Sequence, residues 1–445
     1  MKIFGTDGIR GDSSKFPFDN TTLNIIGCSI AEVLGDNKRV LIIRDTRESG
    51  KRIQTKLSEG MSAIGAKMVL GSIMPTPAAS LLVKNGNYCA AVVISASHNP
   101  YTDNGIKIFN SNGYKLSSSI EEKIEAKINK YITSKDVLPI KKISLKENSG
   151  LIKFYENFII KNFSGKKLKG KTIILDCAHG ASYKCAPHIL KKLGASVISL
   201  NVNPNGKNIN LSCGALHPQS LSKAVKEYKA FCGFAFDGDA DRLICVDENG
   251  MIRDGDYFLS SMSIWLKSKK KLKNNILVST VMANMGLFHA LKKEKIKVIS
   301  SKVGDRYVME DMKKHKASLG GEQSGHFIFK DILATGDGIL SSVMILSALS
   351  STGKTMSEFM NVIEKIPQIL VHRKVLKKVP FEKLFNSYNL IKACEKSLGS
   401  DGRVLVRYSG TENLLRVMVE GKNVDEIKNI AESIADAVEK ETSVQ

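Results

Sequence analysis

Short β-branched runs alternate with amphipathic stretches along most of the chain, the pattern of α/β architecture. Residues 40–43 (Val-Leu-Ile-Ile) read as a strand, 53–65 carry helical spacing, and 67–70 and 89–94 read as further strands. The lysine-rich stretch 130–150 has no clear period and places a domain boundary. A second series opens with a strand at 172–175, passes through a helix at 185–193 and a strand at 196–202, and ends with strands at 233–236 and 243–246. A third runs from a strand at 276–279 through a strand at 296–300 and a helix at 305–314 to a long apolar helix at 338–349. The tail differs: 403–407 and 414–420 read as paired strands, followed by a helix at 424–440 with Ile427, Ile430, Ile434 and Val438 on one stripe. The stretch 366–381, lysine-bearing and containing Pro367 and Pro380, separates this tail from the third series. The expected organisation is three α/β domains (1–150, 151–252 and 253–365) and a C-terminal α+β domain (366–445).

A chain of 445 residues suits two to four domains. With 42% apolar and 25% charged residues it has globular usage, and no apolar run approaches the ~18 residues of a membrane span. Met1 to Asp7 lack the apolar stretch of a secretory signal, and the eight cysteines form no Cys-x-x-Cys pair. Both features favour a cytoplasmic protein with reduced core cysteines. Lys+Arg 66 against Asp+Glu 44 leaves a net charge of +22. The lysines spread over most helical segments, and the clusters at 166–169 and 267–273 lack interleaved aromatics, so neither a nucleic acid nor a membrane is expected as partner. A positive field of this kind also steers a phosphorylated substrate.

Two phosphate-loop lookalikes fail on context. Gly165 to Thr172 fits G-x-x-x-x-G-K-[ST] but precedes a strand, and Ser350 to Thr355 lacks the first glycine and follows a helix. Four other segments carry chemistry. In Ser95-Ala-Ser97-His98-Asn99-Pro100 an apolar strand empties into small and polar residues, placing Ser97 and His98 where open α/β sheets bind ligands. Asp103-Asn104-Gly105 reads as a tight turn leading to Lys107, which suits a phosphate-handling pocket. Asp237-Gly-Asp239-Ala-Asp241-Arg242 sets three carboxylates at alternate positions after an apolar strand, hard oxygen ligands suited to Mg²⁺. Gly321-Glu322-Gln-Ser324-Gly325-His326 offers hydrogen bonds to hydroxyls or an amine, and Arg407-Tyr-Ser409-Gly410-Thr411-Glu412 reads as an anion nest.

Taken in order with Gly5-Thr-Asp-Gly-Ile-Arg10-Gly11, these segments resemble the α-D-phosphohexomutase family over nearly the whole chain. Asn205-Gly-Lys-Asn-Ile-Asn210 and Ala334-Thr-Gly-Asp-Gly338 are most similar to its bacterial amino-sugar branch. The resemblance implies a four-domain, heart-shaped molecule around a central cleft. It also implies interconversion of glucosamine 6-phosphate and glucosamine 1-phosphate on the route to UDP-N-acetylglucosamine, through a phosphoserine and a 1,6-bisphosphate. By the same resemblance Ser97 carries the phosphoryl group, and one Mg²⁺ per site is held by Asp237, Asp239, Asp241 and the phosphoserine at Ser97. The catalytic set is Ser97, His98, Arg10, Lys107 and His326, the last as acid/base. Arg242 acts as a further phosphoryl-side cation and, with Glu322, Ser324, Arg407, Ser409, Gly410 and Thr411, binds substrate. Glucosamine or glucose 1,6-bisphosphate is implied as activator, and the partner is the phosphosugar alone, in a monomer or homodimer. Tyr408, Asn413 and the Ala178-His179-Gly180 turn depart from the family pattern; the first is expected to weaken phosphate affinity. The alternatives are a branch acting on mannose or glucose phosphates, a nucleic-acid binder, and a hydrolase resembling alkaline phosphatase, whose dense histidine ligands are missing here.

Overall fold

A computed structural model describes residues 2–5, 7–34, 39–134, 138–409 and 413–444. The chain divides into two compact units, residues 1–282 with 295–362, and residues 283–294 with 363–445.

The first unit carries three mixed sheets. In the first, β1 (Ile9–Asp12), β2 (Arg39–Arg44), β3 (Lys67–Ile73), β4 (Ala90–Ile94) and β5 (Asp103–Asn110) lie in the order β1-β5-β4-β2-β3. β2 pairs in parallel with β3 and β4, and β5 runs antiparallel to β4. In the second, β6 (Thr172–Asp176), β7 (Ser196–Leu200), β8 (Cys232–Phe236), β9 (Leu243–Val246) and β10 (Ile252–Arg253) repeat that plan, with β6 between parallel β7 and β8 and β9 antiparallel to β8. In the third, β11 (Ile276–Thr280) lies between parallel β12 (Lys297–Ser301) and β13 (Leu319–Gly321), and β14 (Phe327–Phe329) is antiparallel to β13.

The central strands form because both their faces are buried. Val40 to Ile43 and Ala90 to Ile94 have no exposed surface, as expected for parallel strands that read as continuous apolar runs. The shared plan has a functional consequence. In each of these three sheets the third strand of the parallel set turns into the antiparallel fourth, and the three connections (95–102, 237–242 and 322–326) are three of the four chemistry-bearing segments.

In the second unit β15 (Gln368–Lys374), β16 (Arg403–Tyr408) and β17 (Leu414–Glu420) form an antiparallel sheet with β17 at its centre. The helix Val424–Val444 lays Ile427, Ile434 and Val438 against it, with Ile430 partly buried, as the stripe predicts. β15 corrects the sequence reading of 366–381 as a separating stretch. It pairs with β17 from Gln368↔Glu420 to Lys374↔Leu414. It is a half-exposed edge strand, flanked by Pro367 and Pro380 and by lysines, the composition that edge strands use and that hides them from a periodicity search. Among the described residues no helix is long and apolar enough to cross a membrane.

Candidate active site

β4 ends at Ile94, and the chain turns sharply at Ser97, whose φ of 53° lies in the left-handed region. Ser97 is 3% exposed, and its Oγ donates to Asp237 Oδ2 at 2.6 Å and lies 3.3 Å from His98 Nδ1. Burial first, then the nearby Arg242 and Arg10 charges, lower the His98 value to about 4, so its ring is neutral at neutral pH. Ser95 has a different use. Its Oγ accepts from Ser97 N (2.9 Å) and donates to the buried Asp45 Oδ2 (2.6 Å), so its hydroxyl is committed to the loop's frame. The turn lies at 97–102, earlier than expected: Asp103-Asn104-Gly105, read from sequence as a tight turn, already belongs to β5.

The connection after β8 brings Asp237, Asp239 and Asp241 together, each offering a carboxylate oxygen within 4.8 Å of the others. Asp239 is fully buried, and Asp237 and Asp241 are nearly so. Ala240 takes a left-handed φ of 58° to close the turn. Gly238 is required by close approach: a Cβ there would meet Ser97 O at 2.6 Å and Asn210 Nδ2 at 2.8 Å. Lys107 supplies the counter-charge. Its buried Nζ lies 2.8 Å from Asp239 Oδ2 and 3.4 Å from both Asp241 Oδ2 and Asp7 Oδ2. Burial would lower the lysine, but Asp239, Asp7 and Asp241 together raise it well above its usual range. The helix Thr76–Asn85 contributes Thr76, whose Oγ1 donates to Asp239 Oδ2 at 2.6 Å.

This donor set fits a divalent cation. Asp239 Oδ1 and Asp241 Oδ1 are buried, and among the described residues neither has a hydrogen-bond partner. Burial, followed by the Asp241 and Asp239 charges, pushes Asp237 up, which is the cost of assembling carboxylates with too little positive charge among them. Asp241 moves the other way: burial raises it, but Lys107, His326 and Arg242 outweigh that and hold it ionised. The buried triad can hold a metal ion.

The third connection packs against the second. Leu243 N donates to Gly325 O at 2.9 Å, and His326 Nδ1 lies 3.7 Å from Asp241 Oδ1. Asp241 and Asp305 raise the His326 value against its burial. Glu322 Oε1 accepts from Gly304 N at 3.0 Å, while Ser324, on the exposed rim, lies 3.5 Å from Glu322 Oε2. Arg10 pairs with Asp7 at 3.0 Å, and Arg242 N donates to Asp237 Oδ1 at 3.1 Å. Ser97, His98, Lys107, the aspartates, Arg242 and His326 thus form one continuous set of contacts.

The tail residues lie in the second unit. Arg407 is the penultimate residue of β16, opposite Arg416, and Ser409 is 5% exposed with its N–H on Leu414 O. Gly410 and Thr411 lie outside the described residues. Tyr408, one of the departures noted from sequence, stacks on Phe381, centroids 4.7 Å apart, and so contributes to the packing of this unit. The departure at Ala178-His179-Gly180 has a local reason. His179 occupies a left-handed turn (φ 50°), a conformation that histidine accepts more readily than most residues, and its Nδ1 accepts from Asn203 N at 3.2 Å.

Several groups escaped the sequence reading. Arg47 and Asp45 lie under the serine loop, with Arg47 Nε 2.9 Å from Asp45 Oδ2. They follow β2 in Arg44-Asp-Thr-Arg47, and the strand-end rule that picked out Ser97 would have found them. Asn210 was noted for its segment but not for its contact with Ser97 O at 2.9 Å. Asp7, Lys115 and Asp305 form an ionic chain in which Lys115 Nζ bridges Asp7 and Asp305, and no local pattern encodes it.

The chain matches the phosphoglucomutase/phosphomannomutase family models for alpha/beta/alpha domain I at residues 1–135, domain II at 152–250 and domain III at 254–366, and for the C-terminal domain at 360–437. It is 42% identical over 453 residues to a phosphoglucosamine mutase from Syntrophotalea carbinolica, covering 100% of this chain and 98% of that protein. It is also 42% identical over 456 residues to a phosphoglucosamine mutase from Chlamydia trachomatis, with 100% and 98% covered. A crystal structure of a phosphoglucomutase/phosphomannomutase family protein from Burkholderia thailandensis shares the fold, with a TM-score of 0.82 at 23% identity over 99% of this chain and 97% of that one. With all four domains matched in order and full-length identity of this kind, the chain belongs to the phosphoglucomutase/phosphomannomutase family.

Proposed function

We propose that the protein interconverts glucosamine 6-phosphate and glucosamine 1-phosphate, with Ser97 as phosphoryl carrier. The observation that carries this reading is the Ser97 hydroxyl 2.6 Å from Asp237, inside a buried carboxylate triad, in a chain 42% identical end to end to proteins named phosphoglucosamine mutase.

Phosphorylated Ser97 donates to the free sugar hydroxyl: the P–Oγ bond breaks, a bond from phosphorus to the sugar oxygen forms, and the hydroxyl proton ends on Oγ. The bisphosphate turns, and its other phosphoryl group returns to Oγ as the sugar takes the proton back. Asp237 Oδ2 holds the Oγ hydrogen bond between the two halves, and His98, neutral at working pH, is its second neighbour. Asp237, Asp239 and Asp241 with a phosphoserine oxygen would hold Mg²⁺, which supplies positive charge against the transferring group. Arg10 and Arg242 stand on the phosphoryl side. Lys107 supplies counter-charge to Asp239 and Asp241, and His326, beside Asp241, is the candidate acid/base. Glu322 and Ser324 bind the sugar, and Arg407, Ser409, Gly410 and Thr411 hold the phosphate that is not reacting. We take residues 1–150, 151–252, 253–365 and 366–445 as the four domains. The eight free cysteines, most of them buried, support a cytoplasmic setting.

A coupled assay offering glucosamine 6-phosphate, mannose 1-phosphate and glucose 1-phosphate tests the substrate. We expect kcat/KM at least about 10-fold higher for the amino sugar, the scale on which one substituent is discriminated. Equal or higher values for a neutral hexose would move the protein to the other branch.

A further inference from the structure

We propose that Arg47 and Asn210 are positioning residues for the phosphoryl carrier, a pair of donors that holds the Ser97 turn by its carbonyl groups. The proposal rests on Ser97 being the carrier. The side chain of Arg47 has no exposed surface, and its whole fork is committed. Nη2 donates to Ser97 O and to Asn99 O, both at 2.9 Å. Nη1 donates to Asp103 O at 3.1 Å and to Pro100 O, and Nε to Asp45 Oδ2 at 2.9 Å. Asn210 arrives from the second sheet's domain and uses both amide hydrogens on the same two acceptors, Ser97 O at 2.9 Å and Asn99 O at 3.1 Å. Each of the two carbonyls therefore receives one bond from each domain.

This geometry acts on chemistry because of where Ser97 sits. A left-handed φ on a non-glycine residue is strained and persists only where its surroundings over-determine it. Here the over-determination is complete from behind: Arg47 and Asn210 hold the carbonyl side, and Ser95 with Asp45 holds the Ser97 N–H. Oγ is thereby aimed at Asp237. A phosphate on Oγ carries up to two negative charges, and the carbonyl oxygens that would repel it are tied to the donors instead. The segment bearing Asn210 is itself tied to the Arg47 loop, since Glu48 N donates to Gly206 O at 3.0 Å, and Thr46 Oγ1 of that loop donates to His179 O, in the turn after β6, at 2.6 Å. The amino-sugar-branch segment 205–210 thus bears on the carrier serine.

The test measures three quantities per folded enzyme for Asn210→Ala, Asn210→Asp and Arg47→Lys. They are kcat, KM for glucosamine 6-phosphate, and the rate at which unphosphorylated enzyme takes a phosphoryl group from glucose 1,6-bisphosphate. In that last step Ser97 Oγ bonds phosphorus, the sugar P–O bond breaks, the serine proton passes to the departing oxygen, and glucose monophosphate leaves. Intact mass reads the gain of one phosphate. We expect Asn210→Ala to lower kcat and the phosphorylation rate together by about 10- to 100-fold with KM within about twofold. Asn210→Asp should be worse, because it sets an acceptor against two acceptors. Arg47→Lys should fall further, since an ammonium cannot span five acceptors; if it does not fold, the Asn210 pair decides alone. Normal kcat and phosphorylation rate in Asn210→Ala, or a loss confined to KM, would overturn the proposal. Ser97→Ala run alongside separates the two readings. Its retained activity would remove the carrier assignment itself, whereas a dead Ser97→Ala beside a normal Asn210→Ala removes the positioning pair alone.

Discussion

The connections after β4 and after β13 occupy the same place in two sheets of the same plan, yet they are built to opposite ends. The first is held from every side: Ser95 and Ser97 are buried, and Ser97 and Asn99 each have the carbonyl doubly bonded. The second is short and open at its rim, with Ser324 exposed and Glu322 and Gln323 half-buried. What distinguishes them is what lies behind the loop. Arg47 and Asp45, from the end of β2, fill the space under the first connection. The second is held at its base by Gly304 N on Glu322 Oε1 and by Gly255 N on Gln323 O, leaving its tip to face outward. A topological position fixes where a loop stands, and its backing decides whether it can do chemistry, which needs a fixed atom, or recognition, which needs an accessible one.

The largest expected effect follows from breaking the rigid side. Ser97→Ala should lower kcat by about 1,000-fold or more, about 4 kcal/mol of barrier, while the thermal midpoint hardly moves, since the frame of Ser95, Asp45 and Arg47 does not use Oγ. Intact mass should show that the wild type carries one phosphate and the variant none. Residual turnover within tenfold of wild type would mean that the rigid loop serves something other than phosphoryl transfer.

On the open side the effect should be smaller and should fall on a different constant. Glu322→Gln keeps the size of the side chain and an oxygen for Gly304 N, but removes the charge. A hydrogen bond to a charged group contributes about 1.5–3 kcal/mol, so KM for the sugar phosphate should rise by about 10- to 150-fold with kcat changed much less. Steady-state kinetics on the two variants should therefore split cleanly. If Glu322→Gln lowered kcat as much as it raised KM, the open loop would be part of the chemical machinery and the contrast would fail.

How much of this was legible follows the same line. The central strands were, because burial on both faces writes an unbroken apolar run: 40–43 was placed within β2, and 233–236 within β8. The first two loops were as well, because each is the point where such a run empties into small and polar residues, and the third stood out by its glycines with Glu322, Ser324 and His326. What was not legible is the backing. Lys107 meets Asp239 from 132 positions away, Asn210 meets Ser97 from 113 and Arg47 from 50, and no local period carries such pairings. From the sequence Lys107 read as part of a phosphate-handling pocket, and the three carboxylates that the fold sets around it were not legible there. β15 was missed for a different reason: a half-exposed edge strand bounded by prolines and lysines has the composition of a linker.

The smallest effect on turnover concerns the buried aspartates that back the two loops. Asp45 is raised by burial, but it faces the Arg47 guanidinium and two further donors. Asp337 backs the outgoing side of the third sheet and, among the described residues, has no such cation in contact. It accepts from Tyr155 Oη at 3.0 and 2.9 Å and from Leu340 N at 2.9 Å, capping the helix Gly338–Thr352. Burial, with a contribution from the Asp241 charge, carries its value to about 7 against an ordinary 3.8. The sign follows from proton counting. Below pH ~4 both the folded and unfolded forms hold the proton, and between ~4 and ~7 only the folded form does, so the unfolding free energy contributed by this group falls as pH rises across that window and levels off above it. Asp337→Asn keeps an acceptor for the helix cap and for Tyr155 but cannot ionise. The wild type should therefore lose stability from pH 5 to pH 8 relative to the variant, measured as the difference in urea midpoints at each pH, while kcat at pH 7 stays within about twofold. Parallel midpoint curves for the two proteins would show that Asp337 is ionised throughout. The backing of the third connection would then carry an ionised carboxylate, and this part of the contrast between the loops would disappear.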